Sequence, residues 1–251
     1  MTEPGSEPAV GAAARAAIEA AIEPGEDPGA AVRLAAVRQR VARAATAAGR
    51  DPASLVLVAV SKNQPLDAVL ALAALGVRDF GENRHQEAAP KAEAAPDLHW
   101  HFLGRLQRNK ARAVGRWACT VHSVDRLDVL DLLAPPEPDG PGPGRALEVF
   151  VQVSLDGDPT RGGVLPAAVP ALADAVSVRP TLRLLGVMAV APATAPARPA
   201  FAALRATSED LVRGHPGARF ISAGMSGDLE DAITEGATHL RVGTALFGPR
   251  A

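Results

Sequence analysis

From residue 31 onward the chain alternates between two patterns of apolar and polar positions. Apolar residues recurring at helical spacing predict helices over 31–48, 65–75, 82–94, 108–116, 126–133, 166–177, 197–213 and 226–235. Short apolar runs with β-branched residues lie between them and predict strands over 55–60, 77–81, 99–103, 118–122, 147–153, 182–189, 219–223 and 239–243. Runs such as Leu55, Val56, Leu57, Val58, Ala59, Val60 are apolar throughout, as suits parallel strands covered on both faces by crossover helices. Eight such strands, with a helix ahead of the first, predict one α/β domain, a closed (β/α)8 TIM barrel, in preference to an open doubly wound sheet. The first 30 residues are acidic and rich in Ala, Pro and Gly, which predicts a disordered arm with a transient helix at 12–22 and leaves 31–251 for the barrel.

Two further segments break the rhythm. The insert at 134–145, "APPEPDGPGPGR", is dense in Pro and Gly and runs from a helix into a strand, so it is expected as an irregular loop at the bottom of the barrel. The stretch 191–199, "APATAPARP", follows a strand and therefore belongs to the top, either as a rim loop or as a plain connection.

Chemistry in such barrels gathers at the C-terminal ends of the strands. The first strand ends on Ser61 and Lys62, the second on "GEN" (81–83), the fourth on "HSVDR", and the last two on "SAGMSGDLEDAI" (222–233) and "RVGTALFG" (241–248). Lysine is scarce: of 26 basic residues only Lys62, Lys91 and Lys110 are lysine. Arginine stays charged, whereas a lysine whose charge is disfavoured can attack a carbonyl. An unperturbed lysine is neutral in only about one copy in 2,500 at pH 7, so on its own stretch Lys62 reads first as a strand-end lysine with its head in water.

The late strands tip the balance. "GMS" followed by "GDLEDAI" predicts a glycine turn and a helix N-terminus capped by Ser226, and Gly243-Thr244 offers a second glycine turn in the next strand. Backbone N–H groups at such turns suit an anion, and the pair matches the phosphate cradle of many barrels. An amine at Lys62 and a phosphate cradle together suit one molecule with an aldehyde and a phosphate, for which pyridoxal 5'-phosphate (PLP) is the obvious candidate. Arg241 is then placed to face the pyridine nitrogen.

Composition narrows the alternatives. A net charge of −2 gives no global electrostatic reason to expect nucleic acid or an anionic membrane as partner. The start of the chain lacks the basic and apolar regions of a signal peptide, no run is long enough to span a bilayer, and Cys119 stands alone, so a cytoplasmic protein without disulfides or a cysteine metal site is expected, with a monomer as the default state. Cys119 itself reads as a small buried side chain. One of the alternating pairs His99/His101 and Trp100/Phe102 faces the barrel interior, with a satisfied structural histidine the plainer reading. Lys110, with Arg105, Arg108 and Arg112, reads as a solvated basic face.

The words "AVSK", "FGEN", "WHFLGRLQRNK", "HSVDR", "GVMAV", "GMSGDLEDAI" and "RVGTALFG", in this order over 31–248, closely resemble the pyridoxal phosphate homeostasis protein family, also called the proline synthetase co-transcribed protein family. The resemblance implies a barrel of the alanine racemase N-terminal type that binds PLP on a lysine, has no established catalytic activity and influences vitamin B6 and amino-acid pools. It also implies that Lys62 carries the Schiff base, Ser226, Gly243 and Thr244 hold the phosphate, Arg241 approaches the ring nitrogen, and Asn83 and Met225 line the ring. Three positions depart from the family pattern: Arg84 stands where an aromatic residue is usual, Arg161 replaces a lysine, and Gly227 replaces an acidic residue.

Three functions share this site. A carrier would store PLP or deliver it to PLP-dependent apoenzymes, a racemase-like enzyme would act on amino acids, and a Schiff-base aldolase would use Lys62 without a cofactor. Against a racemase of the alanine type, the sequence holds no tyrosine, which such enzymes use as one of two bases.

Overall fold

A computed structural model of the chain describes residues 28–133, 146–158 and 160–248. The expected arm lies outside these residues except for 28–30, which open the first helix, and so does the insert at 134–145. In chain order the elements are α1 (Pro28–Ala47), β1 (Val56–Val60), α2 (Leu66–Ala74), β2 (Asp79–Glu82), α3 (His85–Ala94), β3 (His99–Phe102), α4 (Ala111–Gly115), β4 (Thr120–Val124) and α5 (Leu130–Leu133). They continue with β5 (Leu147–Gln152), α6 (Val169–Ser177), β6 (Leu182–Met188), α7 (Ala197–Gly214), β7 (Phe220–Ser222), α8 (Leu229–Thr234), β8 (His239–Val242) and α9 (Thr244–Phe247). All eight expected strands are present, parallel, and joined in sequence order into a closed barrel, β8 pairing back onto β1 through Val56↔His239 to Ala59↔Val242.

Several expected helices start later than the periodicity predicts: those over 108–116, 126–133 and 166–177 open with a 3-10 turn, and two others start late for reasons their neighbours supply. The segment expected over 82–94 begins only at His85, because Glu82 still belongs to β2. The one expected over 226–235 begins at Leu229: Asp228 takes the N-cap position and its Oδ1 accepts the Met225 N–H at 2.5 Å, so Ser226 is not the cap.

The periodic face of α1 explains its place. Ala30, Leu34, Val37, Val41 and Ala45 are buried on one stripe, and burying each aliphatic side chain larger than alanine contributes roughly 1.5–3 kcal/mol. The opposite edge is arginine-rich and ties α1 to the last two units of the barrel. Arg40 grips Glu230 with two bonds of 2.8 and 2.9 Å and donates to the Ser226 carbonyl, while Arg33 donates to the Leu246 carbonyl at 2.7 Å.

Two cores follow from strand alternation. Trp100, Phe102 and Val121 join the large apolar core. His101 and His122, on the alternate positions, are buried with a separate cluster of Phe150, Leu185 and Met188. His122 and His239 pack on the Phe150 ring at centroid distances of 4.7 and 5.1 Å. His101 is thus a satisfied interior histidine and His99 is exposed.

Burial keeps His122 and His239 neutral. Desolvation, reinforced by neighbouring His101, pushes His239 down to about 4, and desolvation also holds His122 well below the usual histidine range. Between pH 6.5 and 4 the unfolded chain therefore binds protons that the folded chain refuses, so stability is full above pH 6.5 and falls as the solution is acidified. The loss assigned to His239 between pH 7 and 4.5 should be roughly 2 to 3 kcal/mol in urea denaturation. His239→Gln should flatten that acid limb; an unchanged slope would show that His239 is not the source.

Candidate functional site

The upper mouth of the barrel holds a cavity of about 310 Å³, at the small end of the ~300–1,000 Å³ usual for ligand pockets. Lys62, Asn83, Met225, Ser226, Arg241, Gly243 and Thr244, the seven residues expected from sequence, all line it. Val60, Gln64, Leu103, Val190, Phe247 and Gly248 complete the wall and lie outside that expectation. Leu103 and Val190 follow β3 and β6, so strand-end position would have found them, but apolar side chains carry no chemical signal.

Lys62 sits half-buried in a tight turn beyond β1, and its amine has no hydrogen bond or ion pair among the described residues. The turn is built by its neighbours. Ser61 N–H donates to the Gly81 carbonyl and Ser61 Oγ to Glu82 Oε1 at 2.7 Å, while Gln64 N–H closes back on the Ser61 carbonyl. Asn63, on the other side of Lys62, adopts φ 60°, a left-handed conformation that asparagine tolerates better than most residues, and its N–H donates to Glu87 Oε1.

Lys91, unassigned from its sequence context, holds this turn together. Its buried ammonium has three donors and meets three acceptors: Ser61 O at 3.0 Å, Glu82 Oε1 at 2.7 Å and Glu87 Oε1 at 2.8 Å. Burial raises the Glu82 carboxyl, opposed by the bonds from Lys91 and Ser61, and Glu82 Oε2 has no partner among the described residues.

The other end of the cavity is made by the turns after β7 and β8. Ser226 Oγ accepts the Ala245 N–H at 3.3 Å, so the serine links the two turns instead of capping α8. α9 starts at Thr244, and the first amides of a helix have no partner within it. A Cβ on Gly243 would lie 3.2 Å from the Val60 carbonyl, so glycine lets this turn lie close against β1. Thr244 is exposed at the mouth, and the arginines of α1 hold Ser226 and Leu246 from behind.

Arg241 lies deeper, buried beneath the mouth. It donates to Ser222 Oγ at 2.6 Å and to the Ala189 carbonyl at 2.8 Å, which uses two of its five N–H donors. Desolvation lowers it to about 10, leaving it charged at neutral pH. A lysine, an unspent guanidinium and a pair of amide-lined turns form a donor set that fits a small aromatic aldehyde bearing a phosphate.

The departures from the family pattern lie outside this wall. Arg84 is exposed and does not line the cavity. Arg161 pairs with Asp156 and donates to the carbonyls of Val190 and Ala191 at 3.0 and 2.8 Å, fastening the segment after β6. Gly227 has open space around it, so nothing there forbids a side chain.

The N-terminal domain of alanine racemase matches residues 32–251. A pyridoxal phosphate homeostasis protein of Pseudomonas aeruginosa is 46% identical over 219 residues, covering 86% of this chain and 94% of the relative. The chain belongs to the pyridoxal phosphate homeostasis protein family. Another member, from Mycobacterium leprae, is 41% identical over 233 residues and covers 86% of this chain and 91% of its own. Among solved structures, PipY of Synechococcus elongatus with PLP bound superposes with a TM-score of 0.71 at 37% identity, covering 83% of this chain and all of the other.

The lysine cluster gives a test of its own. Lys91→Met should destabilise the protein by roughly 3–5 kcal/mol in chemical denaturation, because Glu82 keeps its burial and loses its ionic partner. Adding Glu82→Leu should recover much of that loss. If the double variant were no more stable than Lys91→Met, the cost would not come from an unpaired carboxylate.

Proposed function

We propose that this protein binds PLP within the cell's vitamin B6 economy, with Lys62 as the Schiff-base lysine, and that it stores or delivers the cofactor without catalysis of its own. The observation that carries the proposal is the meeting of Lys62, Arg241 and the turns at Ser226 and Gly243-Thr244 in one cavity. The PLP bound to PipY, a relative of 37% identity, supports the same ligand. When bound, PLP supplies an aldehyde for the lysine and a ring able to withdraw electrons from an attached amine.

The protein's own groups divide the work. Lys62 offers its amine from a turn braced by Lys91, Glu82 and Glu87. Ser226 and the amides of Gly243 and Thr244 receive the phosphate, and Asn83 and Met225 flank the ring. Arg241 faces the pyridine nitrogen, where a permanent cation opposes protonation and so weakens the ring as an electron sink. With no tyrosine in the chain, the second base of an alanine-type racemase is also missing.

Borohydride treatment of the PLP-loaded protein followed by mass mapping should place the adduct on Lys62. An adduct confined to Lys91 or Lys110 would refute the assignment, and a colourless protein that takes up no PLP would favour the cofactor-free aldolase. Thr244→Asp should weaken PLP at least about tenfold more than pyridoxal, because it sets a carboxylate against the phosphate. Equal losses would move the phosphate elsewhere. Little α-proton exchange should occur when amino acids are added in heavy water, whereas rapid exchange with racemisation would establish an enzyme.

A further inference from the structure

A column of hydrogen bonds crosses the barrel interior from Arg241 to the opposite mouth. Arg241 donates to Ser222 Oγ at 2.6 Å, Ser222 Oγ lies 2.8 Å from His122 Nδ1, His122 Nε2 lies 2.9 Å from His101 Nδ1, and His101 Nε2 lies 3.1 Å from Asp79 Oδ1. Ser222 and His122 are fully buried, and His101 is nearly so. Five strands contribute one residue each: β8, β7, β4, β3 and β2.

The protons in this column can be assigned from its ends. A guanidinium only donates, so Ser222 Oγ accepts from Arg241 and its single proton must go to His122 Nδ1, the other partner the structure gives it. His122 then carries its proton on Nε2 and donates to His101 Nδ1, and His101 donates from Nε2 to the Asp79 carboxylate. Each group between the ends gives one bond and receives one, with both imidazoles neutral. The reverse orientation would leave the Ser222 proton without an acceptor among the described residues, in a place closed to water. Burial, which holds His122 well below its usual range, agrees with this assignment.

The arrangement has a consequence for Arg241. Among the described residues no carboxylate forms a salt bridge with it; Asp228 acts on it only through space, and the one carboxylate it reaches by hydrogen bonds is Asp79, at the end of the column. A carboxylate in direct contact would occupy the guanidinium; the relay leaves its remaining N–H groups for the cavity. Asp79 also lines a separate cavity of about 510 Å³ at the lower mouth, with Arg38 and Arg78, and takes no part in the upper one.

We infer that Asp79, His101, His122 and Ser222 are positioning residues that aim Arg241 at the ring nitrogen of the ligand, so that a residue at one mouth of the barrel tunes binding at the other. The inference rests on the reading of the upper cavity as a PLP site with Arg241 at the ring nitrogen.

The test compares PLP with its 1-deaza analogue, which lacks the ring nitrogen, on the full-length protein. Asp79→Leu should weaken PLP about tenfold and shift the absorbance of the bound cofactor, while leaving the analogue nearly unaffected. Asp79→Asn, which keeps an acceptor for His101, should restore most of the PLP affinity. Ser222→Ala, cutting the column at its other end, should repeat the Asp79→Leu pattern. Unchanged PLP affinity and absorbance in both Asp79→Leu and Ser222→Ala, or equal losses for PLP and the analogue, would overturn the positioning role. Failure of the unmodified protein to bind PLP would instead overturn the reading of the site, and the inference with it.

Discussion

Closure of the sheet between β8 and β1 is the constraint from which the site follows. Because Val56 to Ala59 pair with His239 to Val242, the end of β1 and the end of β8 emerge side by side at the same mouth. Lys62 and Gly243-Thr244 are far apart in sequence and become neighbours only through this pairing. An open sheet with the same local elements would leave the lysine on one edge and the turn on the other. Glycine at 243 completes the approach, since any side chain there would press on the Val60 carbonyl.

Around that seam the protein uses charge in two ways. At the rim, arginines of α1 hold the backbone carbonyls of Ser226 and Leu246, so the helix that precedes the barrel braces both turns at that end of the cavity. In the interior, Lys91 is held between Glu82 and Glu87, and Arg241 stands at the head of a hydrogen-bonded column. Buried ions of this kind add little net stability compared with apolar packing, yet removing one partner is costly, so they fix geometry more than they stabilise the fold. Here the geometry fixed is that of the turn carrying Lys62 and of the guanidinium beneath it.

What could be read from the sequence follows the range of each interaction. The eight strands and the cavity residues at their ends were legible because strand periodicity and the phase of polar clusters with strand ends are local signals. Ser226 lies at the cavity as expected but with a different partner: Asp228 captures the Met225 amide and delays the helix, and a cap cannot be told from a near neighbour by residue type alone. The role of Lys91 was not legible, since it depends on β2 running on through Glu82 and on α3 starting at His85. The column from Asp79 to Arg241 was hidden for the same reason, because it joins five strands whose residues meet only once the barrel has closed. Arg161, which replaces a lysine of the family pattern, fastens the carbonyls after β6, a contact across 29 and 30 residues that its own stretch does not reveal.

The proposed arrangement holds one small molecule between Lys62 and the turns at Ser226 and Thr244, with Arg241 at its ring. A crystal structure of the protein soaked with PLP tests it most directly. Continuous density from Lys62 Nζ to the ligand, a phosphate on the Ser226 and Thr244 turns, and a ring nitrogen within hydrogen-bonding distance of Arg241 is the expected result. PLP bound elsewhere, or bound in this cavity with its phosphate away from those turns, would contradict it.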